Sequence, residues 1–287
     1  MFLSKLVFRL SRAITSRYIK KHSLNISRYN PDLIAFLYDE LSWEILTSGK
    51  YENDYLEVAI QFLKNIQNFN FDYFIDVGAN IGTTAINMHN YFNKIISIEA
   101  NPRTYKILEL NTREIKNISL FEFAISDKEK SMRLTYDNGS FAGAHIVKDK
   151  IDQNKPFKIV NGTSLDILLS KIDKTSMVIK LDIEGEELNA LRGSMEIINK
   201  HSPIFIIEIN KREIKNNSSD TFLFLKKLNY TFYNIQLPYT GNNPIIKRIR
   251  KNESLEVVKV DKLIKKYRLY RTLICVPNKF LIENFNR

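Results

Sequence analysis

Asp76-Val77-Gly78-Ala79-Asn80-Ile81-Gly82 follows directly on the apolar run Tyr73-Phe74-Ile75, and the reading of this stretch decides the fold. A strand that ends in an acid and breaks into glycines makes a turn in which the backbone itself approaches a ligand. Dinucleotide binders use G-x-G-x-x-G with the pyrophosphate at a helix N-terminus. Here the spacing is G-x-x-x-G, and Asp76 precedes the first glycine. A carboxylate there repels a pyrophosphate and attracts the ammonium of an amino-acid moiety. The next apolar run ends in Glu99, seventeen residues after Gly82, where it is placed to accept hydrogen bonds from ribose hydroxyls. S-adenosylmethionine has an ammonium, a sulfonium and a ribose, so the pattern points to that donor.

Moving outward, short apolar runs alternate with helix-like stretches. Strands are predicted at 73–77, 94–99, 119–125, 177–183, 203–209, 230–235 and 272–276. Helical patterns lie around 82–92, 102–115, 186–200 and 218–228. Near-continuous Ile, Val and Phe strands separated by helices indicate an α/β, doubly wound, mostly parallel seven-stranded sheet covered on both faces. No clear helix separates the last two strands, which predicts an antiparallel edge strand there. The stretch 131–160 interrupts the alternation and reads as an insertion of short strands and loop, capping a substrate pocket.

Composition sets the outer limits. Over 287 residues, 44% hydrophobic and 11% aromatic content supports a real core and excludes wholesale disorder. The only cysteine, Cys275, cannot form an internal disulfide, which fits a reducing, cytoplasmic setting. The net charge of +11 is unevenly spread. Residues 1–31 carry seven Lys/Arg and no acid, residues 241–287 twelve against four, and the middle 24 against 28. A basic active site would have made the middle positive.

No run of about 18 apolar residues is present for a transmembrane helix. Leu3, Leu6, Val7, Leu10, Ile14 and Tyr18 fall at helical spacing with Lys and Arg between them. Residues 1–48 therefore read as a basic amphipathic helical extension ahead of a domain at 49–287. Such a helix either packs on its own domain or lies peripherally on the inner face of an anionic membrane.

Several further stretches, "FIDVGANIGTTA", "ISIEANPRTYKILELN", "FAISDKEKSMRL", "TSLDILL", "VIKLDIEGEELNALRGS" and "PIFIIEIN", occur here in the order found in FkbM-type methyltransferases. The chain resembles that family over about 49–280. The resemblance implies a class I methyltransferase (Rossmann-like) fold, S-adenosylmethionine as cofactor, and an oxygen acceptor on a saccharide or natural product. The family's association with surface polysaccharides makes a saccharide or glycan the expected partner. Carried over by position, Asp76, Gly78, Asn80 and Gly82 would form the methionine side of the donor pocket, Glu99 would hold the ribose, Asn101 would line the same loop, and Ala124 and Asp127 would lie near the adenine. Where the family often has a histidine after the fifth strand, this chain has Ile209-Asn210.

A sugar hydroxyl needs a base or a metal before it accepts a methyl group. In "KLDIEGEE", Asp182 and Glu184 stand two apart at a predicted strand end and so project to one side, where either serves as base. A magnesium version would use Asp182 with Glu208 and Asn210, all oxygen ligands. His145, in the insertion, is a further candidate base. Glu186 and Glu187 read as first-turn acids complementing a helix dipole. The competing function is an RNA methyltransferase using the basic flanks, although these lack the aromatic interleaving of a stacking platform and nucleic acid is the less expected partner.

Overall fold

In a computed structural model of the chain, the described residues are 11–17, 33–36, 41–42, 44–45, 53–137, 140–147, 156–236, 255–264 and 269–282. The main sheet contains β1 (Tyr73–Val77), β2 (Lys94–Ile98), β3 (Ile118–Phe121), β8 (Met177–Leu181), β9 (Ile204–Asn210), β10 (Tyr230–Gln236), β11 (Glu256–Val260) and β12 (Leu269–Pro277). Their spatial order is β11-β10-β12-β9-β8-β1-β2-β3. β1 pairs in parallel with β2 and with β8, so the strand order reverses beside β1. Ligands of open α/β sheets bind at such a point.

The sheet differs from expectation in two ways. Among the described residues it has eight strands where seven are expected, and an antiparallel strand lies inside it. β12 runs antiparallel to both β9 and β10, and β11 then adds an antiparallel edge to β10. The physical reason is visible in burial. Leu273, Ile274, Cys275 and Val276 of β12 are all buried, as an interior strand requires, whereas β11 is half-exposed and carries Lys259 outward. A short strand with charges at an edge gives little apolar signal.

Strand alternation puts Ile75, Val77, Ile179, Leu181 and Phe205 into one core cluster. Phe74, Val178, Ile204 and Ile206 go into the cluster on the opposite face. Each such fully buried side chain contributes about 1.5–3 kcal/mol. Helices α1 (Asn53–Leu63) and α2 (Thr83–Met88) supply the second cluster, while α5 (Glu187–Arg192), α6 (Met195–His201) and α7 (Asp220–Lys227) supply the first. The single helix expected at 186–200 is thus two, divided at Gly193-Ser194. Between them in chain order, α3 (Pro102–Thr112) follows β2 and the short α4 (Leu165–Leu168) precedes β8.

The strand expected at 119–125 also divides. β3 ends at Phe121, and β4 (Ala124–Ile125) enters a separate four-stranded sheet. That sheet is completed by β5 (Lys130–Asp137), β6 (Ser140–Ile146) and β7 (Phe157–Thr163), in the order β4-β7-β5-β6. It occupies the stretch read as an insertion, of which 138–139 and 148–155 lie outside the described residues.

Of the N-terminal extension, 11–17 is helical with every side chain exposed, Ile14 at 68%. The remainder of the helix predicted there lies outside the described residues. Leu41 and Ile45 pack with Ile81 of the glycine loop, and the Asn111 side chain of α3 donates to the carbonyls of both Ile34 (2.9 Å) and Ile81 (2.7 Å). Part of the extension therefore braces the loop that opened the sequence. No helix among the described residues is long and apolar enough to cross a membrane.

Candidate active site

The loop after β1 is held from the next strand. Gly78 and Ala79 donate their N–H groups to the Ile98 carbonyl at 2.9 and 3.0 Å. Asn80 donates its N–H to Glu99 Oε2 at 2.9 Å, and Asn101 donates to Oε1 at 2.8 Å. Gly78 (φ +85°) and Gly82 (φ +94°) take left-handed conformations, as does Asn80 at φ +50°. The glycines are needed for protein packing as much as for a ligand. A Cβ on Gly78 would lie 2.0 Å from the Asp182 carbonyl oxygen, and one on Gly82 would lie 2.8 Å from Leu108 Cδ1.

A cleft of about 590 Å3 opens over the carboxyl ends of β1, β2 and β8. Gly78, Asn80, Glu99, Ala124, Asp182 and Glu184 line it, and the second sheet contributes His145 to its wall. Asp76, Gly82, Asn101 and Asp127 do not line it. Asp76 is fully buried, close enough for its charge to act on Glu99. Gly82 starts α2, and Asn101 caps α3 by accepting the Arg103 N–H at 3.1 Å. Asp127 stands at the surface, paired with Lys130 at 2.7 Å.

Burial raises the Glu99 pKa to about 7, helped by the Asp76 charge and opposed by the backbone N–H groups of Asn101, Asn80 and Ala100. The Oδ1 of Asn80 is buried with no hydrogen-bond partner among the described residues. Acceptors of this kind fit a donor rich in N–H and O–H groups. S-adenosylmethionine presents an ammonium and two ribose hydroxyls, and the cleft suits it.

The second half of the site is the turn after β8. The strand stops at Leu181, so Asp182 and Glu184 are not brought together by strand alternation. Glu184 sits at φ +48° and Gly185 at φ +98°, and this tight turn places Asp182 and Glu184 on the same cleft. Lys180, buried on β8, donates from Nζ to Asp182 Oδ2 at 2.7 Å. Glu184 lies on the exposed rim. Partial loss of solvent raises its pKa, the Asp182 charge adds to this, and His145 and Arg212 pull the other way.

Glu186 and Glu187 have larger roles than dipole complements. Glu186 lines the cleft and accepts from Ser126 Oγ (3.2 Å) and Asn189 Nδ2 (2.9 Å). Glu187 is buried and clamps the turn: Oε1 accepts the Ile183 N–H at 3.2 Å and Oε2 the Gly185 N–H at 3.0 Å. Burial, before any other cause, raises its pKa to about 7. The signal for Glu187 was its position two after a glycine in an acid-rich turn. Nothing local distinguished Lys180 from an ordinary strand lysine.

Of the magnesium set, Asp182 lines the cleft, and Glu208 and Asn210 do not. Asn210 Oδ1 caps a 3-10 turn by accepting the Arg212 N–H at 3.2 Å, and Asp182 is held by Lys180. No three His, Cys, Asp or Glu side chains among the described residues converge as a metal site.

Residues 76–232 match the methyltransferase FkbM domain, over half of the chain. The chain belongs to the FkbM methyltransferase family. No curated protein matches it. Among solved structures, a methyltransferase FkbM from Methylobacillus flagellatus KT is 17% identical, with TM-score 0.36 over 66% of this chain and 48% of that one. The FkbM chain described here thus spans about half the length of that relative. A putative methyltransferase from Streptococcus mutans in complex with SAH is 12% identical (TM-score 0.38, 72% and 97% covered). Aeropyrum pernix fibrillarin with natively bound S-adenosyl-L-methionine is 12% identical (TM-score 0.37, 74% and 80%).

Proposed function

We propose that this FkbM chain is an O-methyltransferase that moves the methyl group of S-adenosylmethionine to a hydroxyl of a saccharide, in a surface polysaccharide or its precursor. The observation that carries the reading is the convergence of Glu184, His145 and Asp182 on the same cleft as the donor loop. The donor supplies an activated methyl group; the protein has to align an acceptor oxygen and take its proton.

Glu99 and Asn80 would hold the donor's ribose side, and Asp76 would attract its ammonium from beneath the loop. Ala124 leaves room beside them. Glu184 is the base we favour. It reaches the cleft from the rim, and its raised pKa makes it a better proton acceptor than an ordinary glutamate. Asp182 is tied to Lys180 and orients the rim. His145, on the same cleft and close enough for its charge to act on Glu184, hydrogen-bonds a second acceptor hydroxyl.

The acidic lining of Glu99, Asp182, Glu184 and Glu186 disfavours a phosphodiester backbone over the methyl group, which argues for sugar over RNA. The fully exposed basic helix at 11–17 suits peripheral attachment to an anionic membrane, near lipid-linked glycan precursors. The test is transfer of labelled methyl from S-adenosylmethionine into glycan, RNA and protein pools, with and without EDTA. Label in glycan, insensitive to EDTA, is expected. Label in RNA alone would overturn the acceptor assignment.

A further inference from the structure

The Glu184–Glu187 turn is a wall shared by two clefts. Glu184 and Glu186 face the first; Gly185 and Glu187 line a second, of about 1220 Å3, on the turn's other side. Arg192 from the end of α5, with Arg212 and Lys215 from the segment after β9, stand around this second cleft. Three acids stand there as well, Glu187, Glu213 and Asp220.

Two of the acids are already engaged, and the third sits where a helix dipole favours it. Glu187 accepts the turn's N–H groups, Glu213 Oε1 accepts the Asn210 N–H at 2.8 Å in a capping box, and Asp220 occupies the first turn of α7. Among the described residues, neither Arg192 nor Lys215 makes an ion pair. Arg212 links the clefts, because its charge is felt at Glu184. The cleft thus has two hydrogen-bonded acids and one at a helix start, exposed cations with free donors, and a common wall with the proposed base.

We propose that the second cleft binds an anionic group of the acceptor, a phosphate or a carboxylate, and so steadies the acceptor while one of its hydroxyls reaches Glu184. The proposal rests on the saccharide reading above and adds to it: the substrate is a charged sugar. Guanidinium and ammonium groups recognise either anion, and separation from the acidic first cleft keeps that anion away from Glu184.

The test is calorimetric titration of the full chain with glucose 1-phosphate, glucuronate, inorganic phosphate and glucose. The charged sugars are expected to bind at least tenfold more tightly than glucose, and more weakly as salt is raised. Their relative affinities tell phosphate from carboxylate. An Arg192→Glu/Lys215→Glu chain should lose at least tenfold for the charged sugars, with unchanged S-adenosylmethionine affinity as evidence of intact folding. Should that chain not fold, Arg192→Gln/Lys215→Gln should show a smaller loss of the same sign. Equal binding of glucose and glucose 1-phosphate, or indifference to both substitutions, would overturn the subsite even where label enters glycan. Tighter binding of a short oligoribonucleotide, lost on the same substitutions, would overturn it in favour of RNA. Binding of charged sugars alongside label confined to protein would sustain the subsite and remove the saccharide acceptor.

Discussion

The two turns that line the cleft side by side are built on one plan with different reach. Each contains residues at positive φ, and each is pinned by a carboxylate, partly buried in Glu99 and buried in Glu187, whose oxygens accept backbone N–H groups. Glu99 reaches the donor loop from the end of the neighbouring strand, nineteen residues from Asn80. Glu187 reaches only to Ile183 and Gly185, within its own turn. The donor loop is therefore fixed by the fold as a whole, and the turn carrying Glu184 by its own sequence. A ligand common to a family is met by a surface set by long-range structure, whereas the acceptor side rests on a local device that changes with a few residues.

The largest effect is expected where the two turns touch. Gly78→Ala puts a Cβ 2.0 Å from the Asp182 carbonyl oxygen at φ +85°, so both turns have to move. We expect a loss of stability of about 3 kcal/mol or more and loss of measurable S-adenosylmethionine binding. Gly185→Ala, at φ +98° with nothing within 4 Å of the added methyl, should cost only the backbone strain, about 1–2 kcal/mol. Thermal unfolding of the pair checks this. Equal losses would show that strain alone matters and that the turns are not in contact as described.

Next in size is removal of the proposed base. Glu184→Gln should lower kcat by about 10²- to 10⁴-fold while leaving the S-adenosylmethionine Kd within about twofold. Asp182→Asn should lower kcat less. It keeps the shape of the rim and loses only the pairing with Lys180. An Asp182→Asn defect exceeding that of Glu184→Gln would exchange their roles.

The same contrast explains what was legible in the sequence. The donor half was readable because glycines at fixed spacing and an acid at a strand end leave signals that survive without knowing the fold. The parallel core was readable for a similar reason, since Ile75, Ile179 and Phe205 lie in unbroken apolar runs. Strand β12 lay in such a run too, but its place between β9 and β10 depends on long-range pairing, which periodicity does not encode. The acceptor half was half-legible. Asp182 and Glu184 were found through an alternation rule that does not operate there, because the strand has already ended. Glu187 reads in sequence only as a dipole complement and Lys180 gives no signal, since clamping and charge pairing are properties of three-dimensional neighbours. Asp127 pairs with Lys130 three residues on and does not line the cleft.

The most diagnostic effect lies in pH. Glu99 and Glu187 both have pKa values raised to about 7 by burial, against an ordinary 4.5. Below pH 4.5 both are protonated in the folded and the unfolded chain alike. Between 4.5 and 7 the unfolded chain releases protons that the folded chain retains, so stability falls as pH rises, and above 7 the decline is complete. Each carboxylate accounts for a decline on the order of 3 kcal/mol. Glu187→Gln keeps an acceptor oxygen for the turn and removes the titration. Its Tm should match that of the parent chain near pH 5 and exceed it by several degrees at pH 8. Glu99→Gln should do the same and also weaken the donor, because an ionised Glu99 is the better acceptor for ribose hydroxyls. In the parent chain, S-adenosylmethionine affinity should therefore improve as pH rises through about 7, and in Glu99→Gln it should be flat. A pH-dependent donor affinity persisting in Glu99→Gln and vanishing in Glu187→Gln would reverse the comparison: the local turn, rather than the long-range loop, would then govern the donor.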